Sequence, residues 1–181
     1  MAQSFNEVIK FWFEETTPKQ KWTKDPEFDK LILNRFGDIH KQAQNGELVS
    51  WRSQPLGALA EIIVLDQFGR NMYRDKPESF ESDDLALKLA EEAIEKGQDK
   101  DMESKYKSFL YMPFMHSESK EMHEKAVKLF EEKGLEHNYN FELKHKAIID
   151  RFGRYPHRNQ ILGRESTPEE IEFLKDPASS F

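Results

Sequence analysis

Two segments of the chain carry the same polar residues in the same register. Asp66 to Arg74 reads D-Q-F-G-R-N-M-Y-R, and Asp150 to Arg158 reads D-R-F-G-R-Y-P-H-R. Arginine offers a planar fork of donors suited to carboxylate or phosphate, and aspartate is its natural internal counter-ion. In each segment Phe suits an inward-facing position and Gly a left-handed helix terminus. Asp66–Arg70 and Asp150–Arg154 also have the spacing of i,i+4 pairs on a helix. A weaker echo stands at Arg35-Phe36-Gly37.

Two further stretches add titratable groups. Met115-His116-Ser117-Glu118 follows Pro113, and His145, Arg154, His157, Arg158, Asn159 and Arg164 follow one another toward the end of the chain. Histidine is the side chain that exchanges a proton near neutrality. If the segments converge, Arg70, Arg154, Arg158 and Arg164 form an anion clamp, with Asp66, Asn71, Arg74, His145 and Asn159 around it. His116 or His157 would then donate a proton, with Glu118 as a further acid–base candidate, and helix starts at Ser117 and Thr167 would add backbone N–H groups. The plainer reading is a network of internal ion pairs that locks irregular helix connections.

Familiar catalytic signatures are missing. His123-Glu124 begins an H-E-x-x-H motif, but Val127 stands where the second His belongs. Glu142-x-x-His145 is one half of a di-iron signature without its second half. No phosphate-binding glycine loop or hydrolase elbow occurs. The chain has no cysteine, which excludes disulfides and thiolate metal sites. No cofactor and no metal are expected from these residues.

The elements that must position these groups are helical. Ser4 with Glu7 reads as a capping box before Phe5, Val8, Ile9, Trp12 and Phe13. Asp25-Pro26 opens a helix with Phe28, Leu31, Ile32, Phe36 and Ile39 turned inward and Gly46 at its end. Further helices are predicted from about Leu56 to Phe68, from Ser82 to Gly97, and from Asp101 to Met112, where Pro113 should break the last. Three more follow: Ser117 or Ser119 to Gly134, Tyr139 to Phe152, and one opened by Thr167-Pro168. The expectation is an all-α fold of about eight helices in antiparallel pairs, forming one domain over residues 1–181. Leu85 to Gly97 and Met122 to Gly134 align at an offset of 37 residues. That is near the tetratricopeptide period of about 34, so a right-handed tetratricopeptide-like repeat array is expected.

Composition narrows the setting. The chain has 181 residues, 37% hydrophobic against 34% charged, and a mean hydropathy of −0.83. Neither a signal peptide nor a membrane span is legible, so a cytoplasmic, soluble protein is expected. Net charge is −7, yet Lys144 to Arg164 holds six basic residues against Asp150 alone, +5 there and −12 elsewhere. The acidic remainder disfavours nucleic acid as a partner.

Four ordered motifs are similar to a mostly bacterial family catalogued as domain of unknown function 924. They are L-D-Q-F-G-R-N (Leu65 to Asn71), Y-M-P-F-M-H-S-E (Tyr111 to Glu118), R-F-G-R-Y-P-H-R-N (Arg151 to Asn159) and L-G-R-E-S-T-P-E-E (Leu162 to Glu170). The resemblance implies a tetratricopeptide-like helical fold and no particular activity, substrate or cofactor. The family pattern usually has Pro at the position of Gly69, so the turn after Phe68 is expected to be looser or more helical here. Three functional readings stay open: a binding module whose cationic pocket takes an anionic small molecule or peptide carboxylate, a hydrolase using His116, Glu118 or His157, and a structural network with a protein-interaction role.

Overall fold

The first helices form because their apolar residues recur on one face and their caps satisfy the free N–H groups. A computed structural model describes residues 3–181, and no strand occurs among them. Helix α1 (Phe5–Lys10) runs on into a π-helical turn, Phe11–Glu15. The hydroxyl of Thr16 donates to the Phe11 carbonyl at 2.7 Å and helps close that turn. Ser4 precedes α1 as expected but makes no side-chain cap. Helix α2 (Pro18–Trp22), which the sequence reading missed, carries a full capping box between Thr17 and Gln20.

Helix α3 (Pro26–Gln44) is capped by Asp25 and buries Phe28, Ile32, Phe36, Ile39, His40 and Ala43. Leu31, expected inward, is 47% exposed. The buried residues advance by three or four, which leaves position 31 at the edge of the stripe. Helix α4 (Pro55–Ile63) is almost wholly buried and passes through a second π turn, Val64–Phe68, into the short helix α5 (Gly69–Met72). Helix α6 (Asp83–Glu95) turns Ala86, Leu89, Ala90 and Ala93 inward. Phe36 meets Phe11 at 4.9 Å and Phe68 at 4.8 Å between ring centroids, so the two π turns hand aromatic rings to α3.

Helix α7 (Ser104–His116) contains Pro113 and is not broken by it. Proline removes one backbone bond and crowds the preceding turn, but here only three residues of helix remain beyond it. The chain divides into two compact units at this residue. One covers residues up to Arg74 and Glu78–Pro113; the other covers Asp75–Pro77 and Phe114–Phe181.

In the second unit, α8 (Lys120–Phe130) and α9 (Glu136–Phe152) pack as a hairpin over Ala126, Phe130, Leu135 and Ile149. Gly153 ends α9 at φ +70°, a left-handed position that suits glycine. Short helices α10 (Asn159–Leu162) and α11 (Pro168–Phe173) complete the unit, and Thr167 caps α11 with its hydroxyl accepting from Glu170 N–H at 3.2 Å.

Gly69 departs from the expected left-handed terminus: its backbone is right-handed helical at φ −56°, and the chain stays helical through it. What its missing side chain provides is space. A Cβ there would lie 3.3 Å from His40 Nε2. His40 is fully buried, neither ring nitrogen meets a hydrogen-bond partner, and burial pushes its pKa down to about 4. Tyr73 is its aromatic neighbour at 5.7 Å.

A histidine held neutral in the fold and titrating near 6.5 when unfolded makes the unfolded chain bind more protons in acid. Its contribution is fully present above pH 6.5 and is lost as pH falls toward about 4. Urea unfolding at pH 7 and pH 4 should show wild type losing up to about 3 kcal/mol more than His40→Leu. Equal losses in the two proteins would remove His40 as the cause.

Candidate functional site

The first D-x-F-G-R segment is built into the π turn and α5, where the chain stays helical. Asp66 and Arg70 are therefore on one face, and the Arg70 guanidinium donates to Asp66 Oδ1 at 3.2 Å. It also grips Asp83 with two bonds of 2.7 and 2.9 Å. Arg74 holds Asp29 of α3 in the same forked way at 2.6 and 2.9 Å, and Asn71 donates to Asp29 at 2.8 Å. Asp66 is buried, and Gln67 donates to its other oxygen at 2.8 Å. All four candidates here serve ties inside the first unit.

The second segment behaves differently because its glycine is left-handed. Arg154 leaves the helix axis, so the expected Asp150–Arg154 pair is not made. Asp150 pairs instead with Lys146 at 2.6 Å, still on α9. Arg154 turns to Glu170 of α11, donating at 2.9 and 3.3 Å, and to the Glu165 carbonyl at 2.8 Å. Asn159 donates to the same Glu170 carboxylate at 2.5 Å. Burial alone would raise the Glu170 pKa, but the Arg154 and Asn159 hydrogen bonds hold it below the usual range. Glu170 thus combines a backbone bond to the Thr167 cap with an inward role that the sequence did not disclose.

Arg164 and Glu118 form a second forked pair at 2.8 and 3.1 Å. Glu118 also accepts from the Tyr155 N–H at 2.6 Å, and Arg164 donates to the Tyr155 carbonyl at 3.1 Å and to Asn159 at 2.9 Å. Burial pushes Glu118 up, while the Arg164 bond, the Tyr155 N–H and the Arg158 charge bring it down further. Both oxygens of Glu118 are engaged, which leaves this carboxylate poorly placed as a base.

Tyr155 stands at the centre of the unit, fully buried. Its hydroxyl donates to the Met115 carbonyl at 2.5 Å and lies 3.2 Å from His123 Nε2. The Arg158 guanidinium lies 4.8 Å from the Tyr155 ring centroid and donates to the His116 carbonyl at 2.8 Å. His145 donates through Nδ1 to the Phe141 carbonyl at 2.7 Å. Burial, with smaller contributions from the neighbouring histidines 116, 123 and 157, pushes the His145 pKa down to about 3. The ring is neutral at physiological pH.

His123 and Glu142, both dismissed as motif fragments in the sequence, form a fully buried pair at 2.6 Å. The other ring nitrogen of His123 faces the Ser117 carbonyl at 2.7 Å. A carbonyl only accepts, so Nε2 carries a proton, and one more lies between Nδ1 and Glu142. The pair with its protons is neutral overall, as full burial requires. Desolvation raises the Glu142 carboxyl against the pull of His123, and its second oxygen meets no protein donor. Among the described residues no group of histidines and acids has the geometry of a metal site.

The candidates thus fall into two sets. Asp66, Arg70, Asn71 and Arg74 belong to the first unit; His116, Glu118, His145, Arg154, His157, Arg158, Asn159 and Arg164 belong to the second. Within each unit arginine forks close on internal carboxylates, which defines an all-helical protein with buried ion-pair networks. The chain belongs to the family described as bacterial protein of unknown function (DUF924), whose model matches residues 8–178. A solved structure of a protein of unknown function from Agrobacterium tumefaciens is similar to it. That structure is 36% identical at a TM-score of 0.90, over 94% of this chain and 96% of the other. No curated protein matches the chain. No helix among the described residues is long and apolar enough to cross a membrane.

The Glu170 and Glu169 carboxylates separate a buried tie from a surface one. Removing Glu170 takes the shared carboxylate from the Asn159 amide and Arg154, leaving them the Ser166 hydroxyl and the Glu165 carbonyl, at about 1–3 kcal/mol. Glu169 pairs with Arg151 where both are more than half exposed, so its loss should be unresolvable. Urea midpoints of Glu170→Ala and Glu169→Ala check this, and equal midpoints would contradict it.

Proposed function

We propose that the protein is a helical binding module whose second unit receives an anionic small molecule or peptide carboxylate beside Arg158, His116 and His157. The observation that carries this reading is the convergence of three arginines: Arg154 on Glu170, Arg164 on Glu118, and Arg158 near enough to Glu118 to lower its pKa and 4.8 Å from the Tyr155 ring centroid. The two histidines flank it: His116 supplies the carbonyl that Arg158 meets, and the His157 ring lies 5.6 Å from Tyr155. A site of this kind needs no reacting base, and the engagement of Glu118 together with the burial of His123 and Glu142 speaks for binding over hydrolysis. Tetratricopeptide-like stacking of the helix pairs and a cytoplasmic location belong to the same proposal.

A second reading is supported by the forked ties themselves: a structural network that stiffens a scaffold for a protein partner. Thermal unfolding with acetate, inorganic phosphate and short peptides separates the two. At a hundred times its dissociation constant a ligand adds about 2.7 kcal/mol. In a domain of this size that is several degrees, at roughly 2–4 °C per kcal/mol. A shift with one anion class, lost in Arg158→Gln, is expected. No shift with any anion would refute the module and leave the scaffold reading.

A further inference from the structure

Lys21 is a cation that no acid among the described residues meets. Its ammonium lies 5.4 Å from the Trp12 ring centroid, 5.3 Å from Phe13 and 5.8 Å from Phe109. Ring faces attract an ammonium at this range but supply neither a counter-charge nor a lone pair. Burial pushes the Lys21 pKa down, and no neighbouring charge or hydrogen bond opposes it. The arginines of the same unit differ, each closing on a carboxylate: Arg35 on Glu15, Arg52 on Glu61, Arg70 on Asp83 and Arg74 on Asp29.

Two short elements build this arrangement. The π turn Phe11–Glu15 carries Trp12 and Phe13, and single π turns within helices recur at functional sites. The Thr17–Gln20 capping box then starts α2, whose last two residues are Lys21 and Trp22. Trp12 is wholly buried, and its indole N–H meets no acceptor. Trp22 is 61% exposed, yet its ring stacks on the buried Phe109 of α7 at 6.0 Å and 10°. Phe13 braces Phe109 edge-to-face at 5.6 Å and meets Tyr106 at 4.7 Å. Phe109 therefore joins the unanswered cation to the exposed indole. All of these residues belong to the first unit.

We propose that Lys21 and Trp22 bind a small carboxylate bearing an aromatic ring, the ring packing on the Trp22 indole and the carboxylate accepting from the Lys21 ammonium. The ring covers apolar surface that the fold leaves in water, and the carboxylate supplies the counter-charge that the fold withholds. One cation matches one negative charge, which favours a carboxylate over a phosphate. Residues 18–24 hold three lysines and no acid in a chain of net charge −7, so the local field draws anions to this spot. A second copy of the chain is a poor occupant, because a two-fold contact sets the patch against itself and brings Lys21 toward Lys21. The site is independent of the anion reading of the second unit, and neither requires the other.

The test is an NMR titration of the full chain that follows the Trp12 and Trp22 indole N–H signals and the Lys21 ε-carbon. Hydrocinnamate, hydrocinnamyl alcohol and propionate are the probes: ring with carboxylate, ring alone and carboxylate alone. Hydrocinnamate is expected to move the Trp22 signal, to raise the Lys21 pKa, and to bind more tightly than either fragment. Lys21→Met keeps an apolar stem over the rings and should weaken it about tenfold or more, the worth of a charge-assisted hydrogen bond. Lys21→Arg retains the charge, and Arg158→Gln lies in the other unit, so both should stay within about threefold of wild type. Binding that survives Lys21→Met unchanged, or is lost only in Arg158→Gln, refutes the site. Equal binding of the alcohol refutes it too, as does a Trp22 signal that answers no probe. A Trp22 signal that moves with protein concentration alone marks a second copy as the occupant and overturns the proposal.

Discussion

A carboxylate removed from water must find a cation and donors, and the rest of this structure is arranged around that requirement. Glu61, Asp66, Glu142 and Glu170 are all buried. Each has an identified partner: Arg52 at 2.7 Å, Arg70 at 3.2 Å, His123 at 2.6 Å and Arg154 at 2.9 Å. Such pairs add little net stability over a hydrophobic replacement, because desolvation offsets much of the attraction. Breaking one is expensive, since the partner is left charged and unpaired. The pairs therefore act chiefly on which arrangement is allowed: a helix that slipped by one residue would bury a charge with nothing to meet it.

The two D-x-F-G-R segments show how one backbone angle redirects the same side chains. With Gly69 helical, Asp66 and Arg70 stay one turn apart and meet. With Gly153 left-handed, Arg154 is carried off α9, releases Asp150 to Lys146, and crosses to α11. What lies closest to Gly69 comes from outside its own segment: a Cβ there would stand 3.3 Å from His40 Nε2 of α3. The same D-x-F-G-R motif thus keeps its own Asp–Arg pair in one unit and gives it up for a tie to α11 in the other.

Much of the fold was legible because helices announce their ends. Asp25, Thr167 and Gly153 cap as their types predict, and the spacing of Phe28, Ile32 and Phe36 marks a buried face. The interruption expected at Pro113 fails because too little helix remains beyond it for the lost bond to matter. The site was legible only by half. Arginines and histidines stood out by clustering, but their pairings did not: Asp29 lies 45 residues from Arg74, and Glu118, marked only as an acid–base candidate, lies 46 from Arg164. Nothing local marks an acid for such a role, and Glu170 lies in the first turn of a helix, where an acid is common without any distant partner. His123 and Glu142 were visible only as fragments of metal motifs, since a buried neutral pair has no sequence spacing of its own. Their common signal is a polar residue in an apolar helical register, which periodicity reveals once the buried faces of α8 and α9 are known.

The most direct test of the claim that forked arginine–carboxylate ties fix the second unit is a double-mutant cycle on Glu118 and Arg164. Unfolding free energies would be measured for wild type, Glu118→Gln, Arg164→Met and the double variant. A tie shared with the Tyr155 backbone predicts a coupling of about 1 kcal/mol or more, with the double variant milder than the sum of the singles. A coupling below about 0.3 kcal/mol, with cooperative unfolding retained in all four proteins, would contradict it.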